Sequence, residues 1–356
     1  MILRKVLYAI RNFETSEWRK CVTGRAKAAR LRKYRKELHF DMKTKVFIDG
    51  SEGTTGLRIN ERFQKRDDIE LLHINPELRK DPDERKKLIN ASDITFLCLP
   101  DAAARESAAL AENDNVVIID ASTAHRTEEG WAYGFPELSA AHRTAIQEGK
   151  RIAVPGCYAS GFISLVYPLT AGGILPKDYP VGCFAISGYS GAGKKTIAAY
   201  EQADRPAELS AGREYALTQQ HKHLKEMQKI TGLVRTPLFS PIIDDYYSGM
   251  VVSVQLYADL LARKETPASL LDYYKAYYQN QRFIQVSTTD DEIAAGGFLA
   301  GNGLSGWDGL KIYATGNEER IVVSAQFDNL GKGASGAAIQ CMNIILGCDE
   351  AKGLDL

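Results

Sequence analysis

The apolar run Lys45-Val46-Phe47-Ile48-Asp49 passes directly into Gly50-Ser51-Glu52-Gly53-Thr54-Thr55-Gly56 and then into a helix-like stretch from Leu57 to Lys65. A strand that turns through glycines into a helix constrains the fold more than any other segment. It starts a crossover to a parallel neighbour, and it leaves free N–H groups at the new helix terminus. Further apolar strands at Ile69 to Ile74, Asp93 to Leu99 and Val116 to Asp120, separated by helix-length segments, repeat the pattern. The fold class expected is α/β, with a Rossmann-type doubly wound parallel sheet. The glycine spacing of three and three departs from G-x-G-x-x-G, but the physical purpose is the same: backbone close to a pyrophosphate at a helix N-terminus. Gly50, Ser51, Gly53, Thr54, Thr55 and Gly56 are therefore expected to bind a dinucleotide, the alternative being an ordinary tight turn.

The second strand ends at His73-Ile74-Asn75-Pro76, where an NAD-binding chain would place a carboxylate on the ribose hydroxyls. Asn75 is not acidic, and Arg79 and Lys80 follow within reach of a 2′-phosphate, so the expected cofactor is NADP.

Arg151 to Gly161 reads as a strand, a Pro155-Gly156 turn and a helix start that carries Cys157. A thiol there meets backbone N–H groups and the positive end of a helix dipole, which favour thiolate and hence attack on acyl carbon. The competing reading is a small buried hydrophobe, for which Pro155-Gly156 is poor context. His221 and His223 flank Lys222 at the start of another helix-like stretch running to Ile230. Spacing of two puts their rings on different faces, which suits one proton carrier and one ligand contact better than joint metal ligation, so no metal is expected. Ser122 and Arg126, in the loop after the fourth strand, offer a hydroxyl and a forked cation to a phosphate. Tyr158, beside the thiol, is placed with them as substrate-binding.

A second glycine cluster, Ser187 to Thr196, follows the apolar strand Val181 to Ile186. Gly188 and Gly193-Lys194 have phosphate-loop spacing, but Lys195 stands where such a loop needs Ser or Thr for Mg²⁺. A nucleotide triphosphatase is thus the alternative from another class. The reading preferred is backbone brought close to a ligand, with Gly188, Ser190 and Gly191 touching the cofactor.

Formal net charge is zero, so nucleic acid and membrane are not expected partners. Besides Cys157, the cysteines Cys21, Cys98, Cys183, Cys341 and Cys348 form no C-x-x-C pair, and no apolar run reaches ~18 residues. Both features suit a reduced, cytoplasmic protein. Residues 1–41 hold twelve Lys or Arg against four Asp or Glu. They are expected to be a basic extension outside the fold, best explained by an upstream start codon rather than a targeting peptide or an RNA-binding arm.

Taken in order, Gly50 to Gly56, Asp120 to Arg126, Gly134 to Leu138, Val154 to Tyr158, His221 to His223 and Asp328 to Gly336 resemble N-acetyl-gamma-glutamyl-phosphate reductase in its shorter bacterial form. The resemblance runs from Met42 to about Gly347. The family usually has Pro where this chain has Lys225 ahead of Glu226. It is a semialdehyde dehydrogenase relative of arginine biosynthesis that joins a Rossmann domain to an α+β, mixed-sheet catalytic and oligomerisation domain. Domains of 42–156, completed by 328–356, and 157–327 are implied. So are Cys157 as nucleophile toward a small acyl phosphate, a base in the His221 to His223 segment, Asn329 near the nicotinamide, and a homodimer or homotetramer. Aspartate-semialdehyde dehydrogenase, with the same thiol logic and a shorter substrate, is the nearest rival. The tyrosine-rich segment Leu270 to Tyr278 reads equally as core or interface.

Overall fold

The computed structural model describes residues 43–288 and 296–356; the basic segment 1–41, with Cys21, lies outside the described residues. Strands β1 (Thr44–Asp49), β2 (Ile69–Leu72), β3 (Ile94–Leu97), β4 (Val117–Asp120), β5 (Ala132–Tyr133) and β6 (Arg151–Ala153) form a sheet in the order β2-β1-β3-β4-β6-β5. The ladders from β1 through β3, β4 and β6 to β5 are parallel. Helices α1 (Thr54–Phe63), α2 (Pro82–Ala91), α3 (Asp101–Ala109) and α4 (Ala140–Glu148) supply crossovers. β3 and β4 are buried at every residue, as the strands of a sheet covered on both faces must be.

After β6 the chain enters α5 (Cys157–Ala171), which is apolar on nearly all sides and buried at twelve of its fifteen residues. Pro168 inside it cannot bond the Ser164 carbonyl one turn back; the Tyr278 hydroxyl donates to that oxygen instead, at 2.7 Å, and Tyr274 donates to Leu165 O at 2.7 Å. The tyrosine-rich segment is therefore core on these two side chains.

The second sheet is mixed. It contains β7 (Gly182–Gly188), β8 (Arg213–Glu214), β9 (Leu238–Asp244), β10 (Met250–Tyr257), β11 (Ile284–Val286), β12 (Leu310–Gly316) and β13 (Arg320–Phe327), in the order β11-β12-β13-β10-β7-β9-β8. Between its strands come α6 (Lys194–Tyr200), α7 (Leu224–Thr231) and α8 (Pro267–Tyr277). α5 lies on this sheet closely enough that a Cβ on Gly161 would meet Val252 Cγ2 at 2.6 Å. Beyond β13 the chain makes a wide turn of π-type, Gly331–Ser335, and then α9 (Gly336–Leu346). The wide turn points Lys332 inward, where its ammonium bonds Glu137 and Gln340. Helix α9 returns to the first sheet: Ala337, Ile339, Met342 and Ile344 share a core with Val46, Ile48, Ile119 and Ile152.

Candidate active site

The loops at the carboxyl ends of β1, β3, β4 and β6 converge on a cavity of about 310 Å³, where open parallel sheets bind ligands. Cys157, Tyr158, Ser122, Arg126, His221, His223, Gly53, Thr54, Thr55, Ser190, Gly191 and Asn329 all line it.

Cys157 is the first residue of α5, with Gly156 as N-cap and no side-chain cap. A Cβ at Gly156 would overlap His223 Nε2 and Arg126 Nη1, so only glycine lets both groups approach the thiol's turn. The expected low thiol pKa needs correcting. Burial pushes Cys157 up, outweighing the Tyr158 N–H, Arg126 and Lys222, which pull it down. Dipole and N–H effects are present, but the desolvated sulfur is a thiol before ligand arrives.

At the β1 turn, Gly53 N–H donates to Gly50 O at 3.0 Å, and α1 begins without a side-chain cap. A Cβ at Gly50 would overlap Cys98 O, and one at Gly56 would overlap Gly50 O. These two glycines close the turn and seat the helix, while Gly53, Thr54 and Thr55 face the cavity with helix N–H groups free for an anion. The cradle fits a dinucleotide pyrophosphate. Arg79 sits at the surface, paired with Glu52 of the same turn at 2.5 Å; neither it nor Ser51 lines the cavity.

His221 and His223 were expected on different faces, yet their ring centroids are 4.7 Å apart and both line the cavity. The reason is that α7 starts only at Leu224, so the pair occupies a turn rather than a helix. The His223 N–H donates to His221 Nδ1 at 3.1 Å, leaving the His221 proton on Nε2, 3.5 Å from the Tyr215 hydroxyl. Burial, aided by the Lys222 ammonium, pulls His221 down to about 4. His223 is buried and lowered further by desolvation and by Arg126. Both are neutral at pH 7.

Ser122 Oγ donates to Asp120 Oδ2 at 2.8 Å, and the same carboxylate holds His125 Nδ1 at 2.6 Å. Arg126 is buried and largely committed: Nε to Val154 O, Nη1 to Glu226 and Nη2 to Ala121 O. One N–H on each Nη is left over, so the group can still meet an oxyanion from a fixed position.

The second glycine cluster needs correction at Gly188, which does not line the cavity. A Cβ there would meet the Tyr246 and Tyr247 carbonyl oxygens at 2.6 Å, so it is glycine to pack on backbone. The N–H groups of Gly188, Tyr189 and Ser190 go to Gly249, Tyr246 and Tyr247. These three donors are spent on backbone, and with Lys195 where a phosphate loop needs Ser or Thr the nucleotide triphosphatase alternative finds no support here. Ser190 and Gly191 do reach the cavity, tied to Asn329, whose Nδ2 donates to Ser190 Oγ at 3.0 Å and whose Oδ1 accepts from Gly249 N–H at 2.8 Å.

Sequence reading missed several lining residues. Leu99, Pro100 and Asp101 follow β3 and could have been found from its place between β1 and β4. Lys222 and Tyr215 carry no such signal.

Residues 24–146 match the family described as semialdehyde dehydrogenase, NAD binding domain, and residues 157–329 match semialdehyde dehydrogenase, dimerisation domain. Fold and cavity thus define an NAD(P)-binding semialdehyde dehydrogenase. Aspartate semialdehyde dehydrogenase II of Vibrio cholerae superposes with a TM-score of 0.63 at 16% identity, covering 86% of this chain and 99% of its own. The Francisella tularensis enzyme gives 0.63 and 16%, covering 85% and 99%. These likenesses concern the fold alone. N-acetyl-gamma-glutamyl-phosphate reductase 2 of Nostoc sp. is 43% identical over 321 residues, 88% of this chain and 99% of that protein. N-acetyl-gamma-glutamyl-phosphate reductase of Burkholderia cenocepacia is 42% identical over 308 residues, 86% and 98% respectively. The chain belongs to the N-acetyl-gamma-glutamyl-phosphate reductase family.

Proposed function

We propose that this protein reduces N-acetyl-gamma-glutamyl phosphate to the 5-semialdehyde with NADPH, through a thioester on Cys157, as a cytoplasmic step of arginine biosynthesis. The observation that carries the reading is the placing of Cys157 at a helix start between a dinucleotide turn and the buried Arg126. His223 Nε2, neutral and packed against Gly156, takes the thiol proton as sulfur attacks the acyl carbon. The S–C bond forms, the C–O bond to phosphate breaks, and Ser122 and Arg126 receive the departing phosphate. His221, protonated on Nε2, donates to the acyl oxygen as charge develops there. When bound, the nicotinamide supplies hydride to the thioester carbon. Tyr158 walls the acyl chain, and the C–S bond finally breaks, Cys157 taking its proton back from His223 as the semialdehyde is released.

The cofactor-binding set is Gly50 to Gly56 without Glu52, together with Ser190, Gly191 and Asn329, with Arg79 at the 2′-phosphate. Residues 42–156 with 328–356 form the cofactor domain, and 157–327 form the catalytic and oligomerisation domain. We place the homo-oligomer contact on the open face of the second sheet, where Phe184, Leu238 and Tyr257 are exposed. No helix among the described residues is long and apolar enough to cross a membrane.

The deciding assay is phosphate-dependent NADP reduction with N-acetylglutamate and aspartate semialdehydes in parallel. Activity with the first and not the second is expected; the reverse would move the chain's activity to the rival substrate. NADPH should be preferred over NADH, and Arg79→Ala with Lys80→Ala should erode that preference, more visibly at low salt. Equal kcat/KM for both cofactors would refute this assignment.

A further inference from the structure

Glu226 occupies the first turn of α7 and is 2% exposed, a charged group in the protein interior. Its carboxylate accepts three hydrogen bonds. Oε1 takes the Tyr133 hydroxyl at 2.7 Å and the Gly156 N–H at 3.0 Å, and Oε2 takes Arg126 Nη1 at 3.0 Å. The donors come from β5, from the turn before α5 and from the loop after β4. Burial and the carboxylate itself push the Tyr133 phenol well up, so it stays a donor.

We propose that Glu226 is the positioning residue of the acylation site, its carboxylate holding the Gly156-Cys157 turn and the Arg126 guanidinium in one fixed relation. The proposal rests on reading the cavity as an acyl-phosphate site, since only there must a nucleophile and a phosphate-binding cation be held at a set separation. The Gly156 N–H, engaged by Glu226, is not free to stabilise an acyl oxyanion, so the turn serves to aim the sulfur. Three donors meet the carboxylate, and an amide could not accept from all of them, because its NH₂ would face a donor. Pairing also lets a buried guanidinium stay charged while one N–H on each Nη remains for phosphate.

Two measurements should then move in opposite directions when the charge is removed. Glu226 is among the groups that hold the Cys157 thiol up, so its loss favours thiolate. The same loss frees Arg126 and weakens phosphate binding. A residue that only supports the fold would, when replaced, unmask the buried thiol equally at every pH, whereas loss of this charge moves the alkylation profile to lower pH.

The test uses the full chain carrying Glu226→Gln. Alkylation of Cys157 by iodoacetamide, followed without substrate from about pH 6 to 10, should be at least about threefold faster than in the unmodified enzyme at pH 7 and reach the same limiting rate at high pH. In the oxidative direction, KM for inorganic phosphate should rise about tenfold or more, with NADPH binding unchanged. Slower or unchanged alkylation, alkylation faster by the same factor at every pH, or an unchanged KM for phosphate overturns the proposal. If Glu226→Gln does not fold, Tyr133→Phe decides, since it keeps the charge but removes one anchor. KM for phosphate should then rise about threefold with alkylation unchanged, and an unmoved KM overturns the proposal. An unmodified enzyme without phosphate-dependent activity would sink the functional reading instead, and the alkylation comparison would still judge Glu226.

Discussion

At Cys157 two physical tendencies oppose each other: the helix start favours an anion, and burial disfavours one. Burial wins in the free enzyme, so the sulfur must be deprotonated during attack and not before it. Cys157→Ser should lose far more than tenfold in kcat while NADPH still binds; retention of a tenth of the activity, a loss of only ~1.4 kcal/mol, would remove the thiol from the mechanism. The same reasoning sets a pH profile. Iodoacetamide consumes thiolate, so its rate with Cys157 should climb about tenfold per pH unit through neutrality and keep climbing past pH ~8.5. A plateau near pH 6 would mean a pre-formed thiolate. His221, at about 4, contributes no titration between pH 5 and 9. Its folded value lies below the ordinary ~6.5, so the unfolded chain binds the proton first. Its contribution to stability is full above that value and is lost as pH falls from ~6.5 toward 4, which thermal midpoints across that range would register.

At the level of elements, the wide turn Gly331–Ser335 and the start of α5 interlock. A Cβ on Gly333 would meet Cys157 Cβ at 2.9 Å and Phe327 Cε2 at 3.2 Å. Gly333→Ala should therefore displace the thiol, lowering kcat at least about tenfold for a stability cost of about 1–3 kcal/mol. Wild-type kcat with a lowered Tm would show that the contact is packing only. This contact also marks where sequence reading stopped. The β1 turn, the Cys157 helix start and the loop after β4 were legible because each is a local pattern of strand, glycine or proline, and helix. The paired rings of His221 and His223 were not, because their orientation depends on α7 beginning only at Leu224, after both of them, which their spacing does not reveal. Gly188 shows the converse failure: glycine spacing cannot tell a ligand from a neighbouring carbonyl, and here the neighbour is Tyr246 and Tyr247. Glu226 carries no local signal of its role, because the groups that converge on it, Tyr133, Arg126 and Gly156, are all distant in sequence.

For the whole molecule, β1 with its glycine turn is complete from Thr44 onward. Deleting residues 1–41 should leave kcat/KM and thermal midpoint unchanged; a large loss of either would show that the basic segment docks on the body. The opposite end of the chain cannot be spared in this way. α9 fills the core of the first sheet with Ala338, Ile339, Cys341 and Met342, nearly three hundred residues after the β1 residues Val46 and Ile48 that share that core. A ribosome making this protein at about 5–20 residues per second exposes the first sheet's apolar face for many seconds before the helix that covers it has been synthesised. The nascent chain thus passes through a stage in which its first sheet is sticky, and the emergence of α9 decides whether that sheet becomes soluble.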